Sequence, residues 1–167
     1  MKIGFGYDVH PFAEGRDLWL GGVKINHPVG LLGHSDADVL IHAICDALLG
    51  AANLRDIGFH FPDSDSAYKN IDSKLILQKT MTLLRETGYE LGNIDSTIVA
   101  EKPRLSPYIP AIQQTLANII GTDKENISVK ATTTEHLGFT GREEGIAAYS
   151  TVLILKMLNV NSIETIH

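Results

Sequence analysis

Hydrophobic and polar residues alternate along the first segment of the chain, IGFGYDVHPF, where Phe5, Tyr7 and Val9 are separated by glycine or polar residues. A period of two residues is typical of a β-strand, and Pro11 marks its predicted end. The next segment, DLWLGGVKIN, places two glycines between two short apolar runs. Because glycine adopts the positive φ angles of a tight turn, this segment predicts a β-hairpin.

Longer apolar segments predict three helices. The first is DADVLIHAICDALLGAA, with Ser35 as its N-cap, and the second is LILQKTMTLLRETG, which ends at Gly88. The third is SPYIPAIQQTLANIIG, with Ser106 as cap and Pro107 at its first position. A long loop rich in Gly, Pro, Asp and Ser separates the first two helices, and loops of this length are usually functional.

The remaining apolar runs, NIDSTIVAEK, NISVKATTT and GIAAYSTVLILKML, have the composition of strands. Strands and helices therefore alternate without internal repeats. This order favours an α/β (α+β-like) fold, with a mixed β-sheet, helices packed on one face and a short β-hairpin. We assign residues 1–157 to a single domain and residues 158–167 to a C-terminal tail.

Composition narrows the choice of function without identifying it. With 167 residues, 44% hydrophobic content and 20% charged content, the chain is long enough for one ordered domain. The net charge of −6 and the lack of clustered Lys and Arg argue against nucleic acid as a partner. No apolar run approaches the ~20 residues that a membrane helix needs.

The cell compartment follows from similar observations. The single cysteine, Cys45, lies in an apolar stretch, where we expect it to pack in the core. The first residues do not resemble a signal peptide. We therefore expect a cytoplasmic bacterial protein, or a plastid-type organellar one if a transit peptide has been removed.

A candidate metal site combines the first strand with the first helix. Asp8 and His10 are two residues apart and project from the same face of a strand, while Asp38, His42 and Asp46 recur every four residues along the helix. One Asp and two His are typical catalytic zinc ligands and leave a fourth position open. The alternative is that His10 and His42 only form structural hydrogen bonds. We further expect Asp46 to orient His42.

A candidate phosphate site lies at the start of the same helix. His34 and Ser35 stand beside backbone N–H groups that have no helical partner. A plain helix cap explains Ser35 equally well.

The loop DIGFHFPDSD presents polar groups that could bind a polyol. They are Asp56, Gly58, His60, Asp63 and Asp65. An EF-hand is excluded because a calcium loop starting at Asp63 would have Tyr68 and Lys74 where it needs Gly and Glu. An ordinary solvated loop remains the alternative.

Near the C-terminus, the segment KATTTEHLGFTGREEG offers two interpretations. Thr132 and Glu135 have the spacing of a capping box. The threonines, Glu135 and Arg142 could instead hold a diphosphate and its magnesium ion. Other familiar motifs are missing: the sequence has no dinucleotide fingerprint, no Walker loop and no nucleophile elbow.

Four of these segments together resemble a known family. GYDVHPF, GHSDADVLIHAICDALLGAA, DIGFHFPD and KATTTEHLGFTGREEGIA have the order and spacing found in the 2-C-methyl-D-erythritol 2,4-cyclodiphosphate synthases of non-mevalonate isoprenoid biosynthesis. The resemblance extends from Met1 to about Lys156. It implies that 4-diphosphocytidyl-2-C-methyl-D-erythritol 2-phosphate is converted to the cyclodiphosphate and CMP.

The resemblance also implies roles for individual residues. The metal ligands would be Asp8, His10 and His42 for zinc or another divalent ion, and Glu135 for Mg²⁺ or Mn²⁺. His34 and Thr133 would be catalytic. The residues that meet the substrate would be Asp8, His10, His34, Ser35, Asp56, Gly58, Phe61, Asp63, Asp65, Ala100, Lys102, Leu105, Thr132, Thr133, Glu135, Phe139 and Arg142.

The assembly implied by the resemblance is a homotrimer with active sites at subunit interfaces. Phe139, Arg142 and Glu144 would line a central cavity that could take an isoprenoid diphosphate. Two other functions remain open at this point: a zinc-dependent phosphate-ester hydrolase and a nucleotide-binding module without catalysis.

Overall fold

The computed structural model describes residues 1–62, 64, 65, 68 and 70–157. The predicted tail, residues 158–167, lies outside the described residues. The strands are β1 (Lys2–Ala13), β2 (Leu18–Leu20), β3 (Val23–Ile25), β4 (Gly30–Leu31), β5 (Tyr89–Val99), β6 (Ile127–Thr132) and β7 (Gly145–Lys156). The helices are α1 (Val39–Ala52), α2 (Ile57–His60), α3 (Ser73–Glu86), α4 (Ile109–Ile120) and α5 (Gly138–Gly141), with a 3₁₀ turn at Lys124–Asn126.

Five strands form one mixed sheet in the order β4-β1-β7-β5-β6, and β2 and β3 form a separate hairpin. β7 runs antiparallel to both β1 and β5, while β5 and β6 are parallel. β1, β5 and β6 therefore point in the same direction. Their C-terminal ends lie along the same edge of the sheet, which is where the candidate site residues occur.

Helices cover one face of this sheet, as the sequence predicts. α1 packs on β1 and β7, and α3 and α4 pack beside it over β5 and β6. α1 is apolar on nearly all sides, and its residues Leu40, Ile44 and Leu48 are buried at the centre of the core. Among the described helices, none is long and apolar enough to span a membrane.

The opposite face of the sheet is uncovered and apolar along β1 and β7. Ile3, Phe5 and Tyr7 are exposed, and the ring of Tyr149 lies 4.9 Å from that of Tyr7 and 6.3 Å from that of Phe5. We call Ile3, Phe5, Tyr7, Val9 and Tyr149 the aromatic face.

Two glycines of β1 allow α1 to approach the sheet closely. A Cβ atom on Gly4 would stand 1.9 Å from the carbonyl oxygen of Ala47, and one on Gly6 would stand 2.0 Å from that of Ala43. Only glycine fits at such distances. The short strand-to-helix distance brings His42 of α1 within reach of the residues that follow Gly6 on β1.

The hairpin is confirmed, with Gly21 and Gly22 at φ angles of 60° and 75°. The predicted strand end at Pro11 is wrong. β1 continues to Ala13 because β4 pairs with its last two residues and Leu32 N donates to the carbonyl of Pro11.

The predicted cap of the first helix is also wrong. α1 begins at Val39, and its cap is Asp38, whose buried carboxylate accepts hydrogen bonds from the N–H groups of Ile41, Gly21 and Gly22. Burial raises the pKa of Asp38, and these three donors oppose the rise. Asp38 therefore joins the hairpin to the helix rather than facing the candidate metal site.

The third helix starts later than predicted. α4 begins at Ile109, because a hydrogen bond from Tyr108 N to Leu105 O closes a turn where Ser106 and Pro107 were expected to start the helix. The long loop after α1 contains the short helix α2.

Candidate active site

Asp8, His10 and His42 converge as the sequence predicts. His10 Nε2 lies 3.0 Å from Asp8 Oδ2, His42 Nδ1 lies 3.1 Å from the same oxygen, and the two nitrogens are 3.1 Å apart. Asp8 and His10 project from the helix-covered face of β1, while His42 is the fourth residue of α1. Three potential ligand atoms thus form a nearly equilateral triangle.

This triangle fits a tetrahedral divalent ion. Zinc lies about 2.0 to 2.1 Å from nitrogen and oxygen ligands, so two ligands of a tetrahedral site are separated by about 3.3 Å. The observed separations of 3.0 to 3.1 Å need only a small expansion. Within the described part of the chain, this is the single group of three or more His, Cys, Asp or Glu side chains close enough to hold a metal.

The electrostatics of the triangle also suit a cation. Burial alone would raise the pKa of Asp8, but hydrogen bonds and positive charge from His10 and His42 outweigh it and hold that pKa well below its usual range. Burial lowers the pKa of His42, yet Asp8 and the nearby Asp38 and Asp36 reverse this effect and raise it. The site therefore keeps a carboxylate and attracts positive charge, whether protons or a metal ion.

The second ring nitrogen of His42 contacts two serines. Its Nε2 lies 3.0 Å from Ser73 Oγ and 3.2 Å from Ser35 Oγ. Ser73 Oγ in turn donates a short hydrogen bond to Asp36 Oδ1. The expected role of Asp46 in orienting His42 is therefore wrong: Asp46 Oδ1 accepts a hydrogen bond from Ile57 N at 2.7 Å, and Ser73 occupies the position beside the imidazole.

A cavity of about 490 Å³ opens beside the triangle. It brings together six of the predicted substrate-binding residues: Asp8, His10, His34, Ser35, Gly58 and Phe61. Ser35 is buried, and its hydroxyl accepts a hydrogen bond from Ala37 N. The exposed His34 stands at the cavity wall.

The predicted residues of the polyol loop do not all reach this cavity. His60 Nε2 lies 2.7 Å from the carbonyl oxygen of Leu54. Gly58 and Phe61 line this cavity, as noted above. Asp56 is exposed and caps α2, since its Oδ1 accepts a hydrogen bond from Phe59 N at 2.9 Å. Asp65 is exposed on the same loop. Asp63 lies outside the described residues.

A second cavity of about 320 Å³ lies where β5 and β6 end. It brings together the predicted residues Ala100, Leu105, Thr132 and Thr133. Lys102 does not line it; its ammonium group pairs with Glu143 at 2.9 Å. Because β7 lies between β1 and β5, the two cavities share one edge of the sheet but are built on different strands.

The loop after β6 is held by Glu101. Its Oε1 accepts hydrogen bonds from His136 N at 2.9 Å and Thr134 N at 3.2 Å. Glu135 and His136 both have positive φ angles, 52° and 63°. Residues other than glycine rarely adopt positive φ angles, and the two hydrogen bonds to Glu101 stabilise this conformation.

The proposed capping box at Thr132 is wrong. Thr132 belongs to β6, and the next helix, α5, begins only at Gly138 without a side-chain cap. Glu135 Oε1 instead accepts a hydrogen bond from Thr133 Oγ1 at 2.7 Å, and both side chains are exposed. The carboxylate is thus available next to the second cavity.

The residues predicted to line a central cavity lie on and after α5. Phe139 is 37% exposed. The guanidinium of Arg142 binds Glu144 through two contacts, Nε to Oε1 at 2.7 Å and Nη2 to Oε2 at 3.1 Å. A ligand anion at Arg142 would compete with this ion pair.

Sequence reasoning missed three residues that organise the two cavities: Asp36, Ser73 and Glu101. From the sequence, Asp36 is an acidic residue in the predicted first helical turn, and Ser73 is an ordinary polar residue near the start of the second helix. Glu101 has the appearance of a solvated loop residue. The contacts that give them these roles span 31 to 37 residues, so no local pattern could have identified them.

A mixed sheet covered by helices on one face, with an Asp-His-His triangle beside an open cavity, defines a metal-binding α/β enzyme. Residues 1–155 match the YgbB family, and the chain belongs to that family.

Curated relatives agree along almost the whole chain. The 2-C-methyl-D-erythritol 2,4-cyclodiphosphate synthase of Parabacteroides distasonis is 68% identical over 157 residues, which cover 94% of this chain and 98% of the relative. The enzyme of the same name from Syntrophomonas wolfei is 59% identical, with 92% and 98% covered.

Solved structures share the fold. The bifunctional IspDF of Campylobacter jejuni has a TM-score of 0.90 and 47% identity, covering 95% of this chain and 42% of that one. A CDP complex of IspF from Plasmodium falciparum has a TM-score of 0.82 and 34% identity, with 94% and 97% covered.

Proposed function

We infer that this chain converts 4-diphosphocytidyl-2-C-methyl-D-erythritol 2-phosphate to 2-C-methyl-D-erythritol 2,4-cyclodiphosphate and CMP, as a metal-dependent phosphorus-oxygen lyase. The observation that carries the inference is the Asp8, His10 and His42 triangle beside an open cavity, in a chain 68% identical to a cyclodiphosphate synthase. Relatives solved with CDP support a cytidine-linked substrate.

The reaction requires positioning more than proton transfer. An oxygen of the 2-phosphate forms a bond to the β-phosphorus, and the bond from that phosphorus to the oxygen bridging to the α-phosphate breaks. CMP leaves with the bridging oxygen and its electron pair. Because the nucleophile is already an anion, no strong base is needed, and the protein must align two mutually repelling phosphates.

The first cavity suits the methylerythritol and its 2-phosphate. His34 and Ser35 stand beside the metal triangle, where they would contact a phosphate group. Asp56, Gly58, Phe61, Asp63 and Asp65 would bind the polyol. A zinc ion held by Asp8, His10 and His42 would supply a Lewis acid that neutralises phosphate charge.

The second cavity suits the cytidine diphosphate end. Ala100 and Leu105 would meet the base, and Thr132 and Thr133 the diphosphate. Lys102 would join the base contacts by leaving its ion pair with Glu143. Glu135 would hold Mg²⁺ or Mn²⁺ through its exposed carboxylate, which accepts a hydrogen bond from the hydroxyl of Thr133. Thr133 and His34 would contact the reacting phosphates, one from each cavity.

A homotrimer would cover the aromatic face. Exposed aromatic side chains clustered on an open sheet face are costly in water and typical of subunit interfaces. In an assembly, the first cavity of one chain would be able to lie next to the second cavity of its neighbour. This is because the two cavities are built on different strands at the same edge of the sheet. We propose that the complete site forms at this interface.

A central cavity ligand is a separate proposal. An isoprenoid diphosphate bound near Phe139 would compete with Glu144 for the guanidinium group of Arg142. Titration with geranyl diphosphate should give weaker binding to Arg142→Ala than to the unmodified protein; equal affinities would overturn the proposal.

Product analysis tests the main inference. Purified protein with zinc, magnesium and the substrate should release CMP and cyclic diphosphate in equal amounts. Release of inorganic phosphate from the same substrate would instead indicate the hydrolase alternative. His42→Ala should lose turnover while still binding CDP, because His42 lies in the first cavity and CDP is expected in the second. An unmodified protein that binds CDP but shows no turnover would instead be a nucleotide-binding module.

A further inference from the structure

We propose that Arg16 is a positioning residue for the 2-phosphate of the substrate: it fixes the backbone of residues 34–36 through Ser35, from outside the first cavity. The inference rests on the proposed function and deepens it, because Arg16 does not belong to the predicted set of site residues.

Residues 34–36 depend on support from other parts of the chain. They belong to no helix or strand, since β4 ends at Leu31 and α1 begins at Val39. The next residue, Ala37, has a φ angle of 58°, which residues other than glycine rarely adopt. Repeating hydrogen bonds therefore do not hold this segment, and its backbone groups need individual partners.

Two carbonyl groups of the segment accept hydrogen bonds from residues that are distant in sequence. Asn70 N donates to His34 O at 2.6 Å, and Arg16 Nη2 donates to Ser35 O. Arg16 is half-buried in the connection between β1 and β2. Hydrogen bonds from a charged donor are roughly twice as strong as those between neutral groups. Arg16 is therefore a strong tether, and unlike a backbone donor it can be removed by substitution.

The segment lies between two cavities. His34 and Ser35 line the first cavity, where we expect the 2-phosphate. Ser35 also lines a smaller cavity of about 260 Å³, together with Arg16 and Trp19. Because Arg16 lines the smaller cavity and not the first, it would act on the substrate through Ser35 rather than by contact.

The contribution of Arg16 is mainly to position rather than to net charge. Asp17 and Asp36 line the same small cavity, and these two acidic residues offset the positive charge of the guanidinium. Without the hydrogen bond to Ser35, the segment would have to be ordered each time a phosphate binds, which lowers affinity. Loss of a hydrogen bond from a charged donor is equivalent to about a tenfold loss of affinity or more.

Affinity for the cyclic product, 2-C-methyl-D-erythritol 2,4-cyclodiphosphate, tests the proposal. This compound carries the former 2-phosphate and no cytidine. In calorimetric titration of zinc-saturated protein, Arg16→Met should bind it about tenfold more weakly and should bind CDP with unchanged affinity. Arg16→Lys retains a charged donor and should remain within about threefold of the unmodified protein.

Arg85→Met is the matched control. Arg85 Nη2 also donates to a backbone carbonyl, that of Ile120 at 2.6 Å, near the C-terminal ends of α3 and α4. This variant loses the same charge and the same kind of hydrogen bond, and it should bind the cyclic product as tightly as the unmodified protein does.

Turnover provides a reading that a purely structural role would not give. With zinc, magnesium and saturating substrate, Arg16→Met should show a kcat that is about tenfold lower, because the bound 2-phosphate is no longer aligned with the β-phosphorus. Arg16→Lys should restore most of it.

The outcomes separate this proposal from the proposed function. If the unmodified protein releases no CMP from the substrate, the proposed function fails and the role of Arg16 fails with it. If CMP is released, but Arg16→Met binds the cyclic product as tightly as the unmodified protein, only the role of Arg16 fails. An equal loss in Arg85→Met, or a parallel loss of CDP affinity in Arg16→Met, would also overturn it.

A measurement on the unmodified protein keeps the proposal testable if Arg16→Met does not fold. The guanidinium signals of Arg16 in ¹H–¹⁵N spectra are identified by their loss in Arg16→Lys. They should shift when the cyclic product is added and stay in place when CDP is added, because only the cyclic product is expected beside Ser35. Signals that do not respond to the cyclic product would overturn the proposal.

Discussion

Gly6 of β1 lies directly beneath Ala43 of α1, so close that a Cβ atom on Gly6 would stand 2.0 Å from the carbonyl oxygen of Ala43. The next even-numbered residues on β1 are Asp8 and His10, and His42 immediately precedes Ala43. The contact between a glycine and a helix backbone therefore sets the spacing of the metal triangle.

Replacing Gly6 with Ala should separate α1 from β1. We expect a loss of about 3 kcal/mol in the free energy of unfolding, because a backbone atom cannot move aside as a side chain would, and weaker zinc binding. Urea unfolding and chelator competition measure the two effects. The control is Gly50→Ala, at an exposed helical position with nothing within 4 Å, which should gain about 0.5 to 1 kcal/mol. Unchanged zinc affinity in Gly6→Ala would contradict the spacing role.

Removal of divalent ions should abolish turnover and lower the melting temperature. A ligand at 100 times its Kd stabilises the folded state by about 2.7 kcal/mol. Zinc added back should restore the melting temperature, and zinc together with magnesium should restore turnover. Thermal unfolding with and without chelator provides the measurement. His42→Ala should show no zinc-dependent shift, and a shift equal to that of the unmodified protein would place the ion elsewhere.

Loss of the Glu101 carboxylate should disturb the second cavity and leave the first intact. Glu101→Ala frees the N–H groups of Thr134 and His136, and we expect CDP affinity to fall about tenfold, equivalent to about 1.4 kcal/mol. Glu101→Gln keeps a carbonyl acceptor and should lose less than about threefold. Calorimetric titration with CDP compares them. Zinc affinity should be equal in the unmodified protein and in both variants. Equal CDP affinity in all three would show that Glu101 does not anchor the loop beside the second cavity.

Cys45 should resist thiol reagents in the native protein. Burial raises the pKa of its thiol to about 12, so almost no thiolate exists at a pH of about 8.5, where an exposed cysteine is half ionised. Ellman's reagent should titrate no thiol before unfolding and one thiol after it. Rapid reaction of the folded protein would show that α1 opens readily.

Charge on the aromatic face should prevent assembly. Tyr149→Glu places a carboxylate beside the rings of Tyr7 and Phe5, and an interface there would have to bury it unpaired. Light scattering should give one subunit of 18.2 kDa rather than three. Gln114→Glu, on the exposed side of α4 and therefore on the other side of the sheet, is the control and should leave the assembly unchanged.

Local patterns in the sequence were sufficient for the long strands and helices and for the three residues of the Asp8, His10 and His42 triangle. The alternation around Phe5 predicts β1, and the same period places Asp8 and His10 on one face. Apolar composition predicts α1 and therefore the position of His42. These features depend on residues that are close in sequence, because side chains alternate between the two faces of a strand and repeat every 3.6 residues around a helix.

Features set by tertiary contacts could not be predicted in the same way. Ser35 has a good cap composition, but Asp38 caps α1 because its carboxylate also satisfies the hairpin N–H groups of Gly21 and Gly22. Asp46 has the right spacing to reach His42, yet its carboxylate is used by Ile57 N. In both cases, a backbone N–H group that is more than ten residues away in sequence binds the carboxylate and determines its role.

The wide sequence separation of the triangle has a bearing on how the enzyme matures. Asp8 and His10 are synthesised more than thirty residues before His42, and their ligand atoms meet only once α1 has docked on β1. An ion that needs all three ligands would therefore bind only after that docking, so an optical signal of ion binding would report when α1 and β1 come together in a newly made chain.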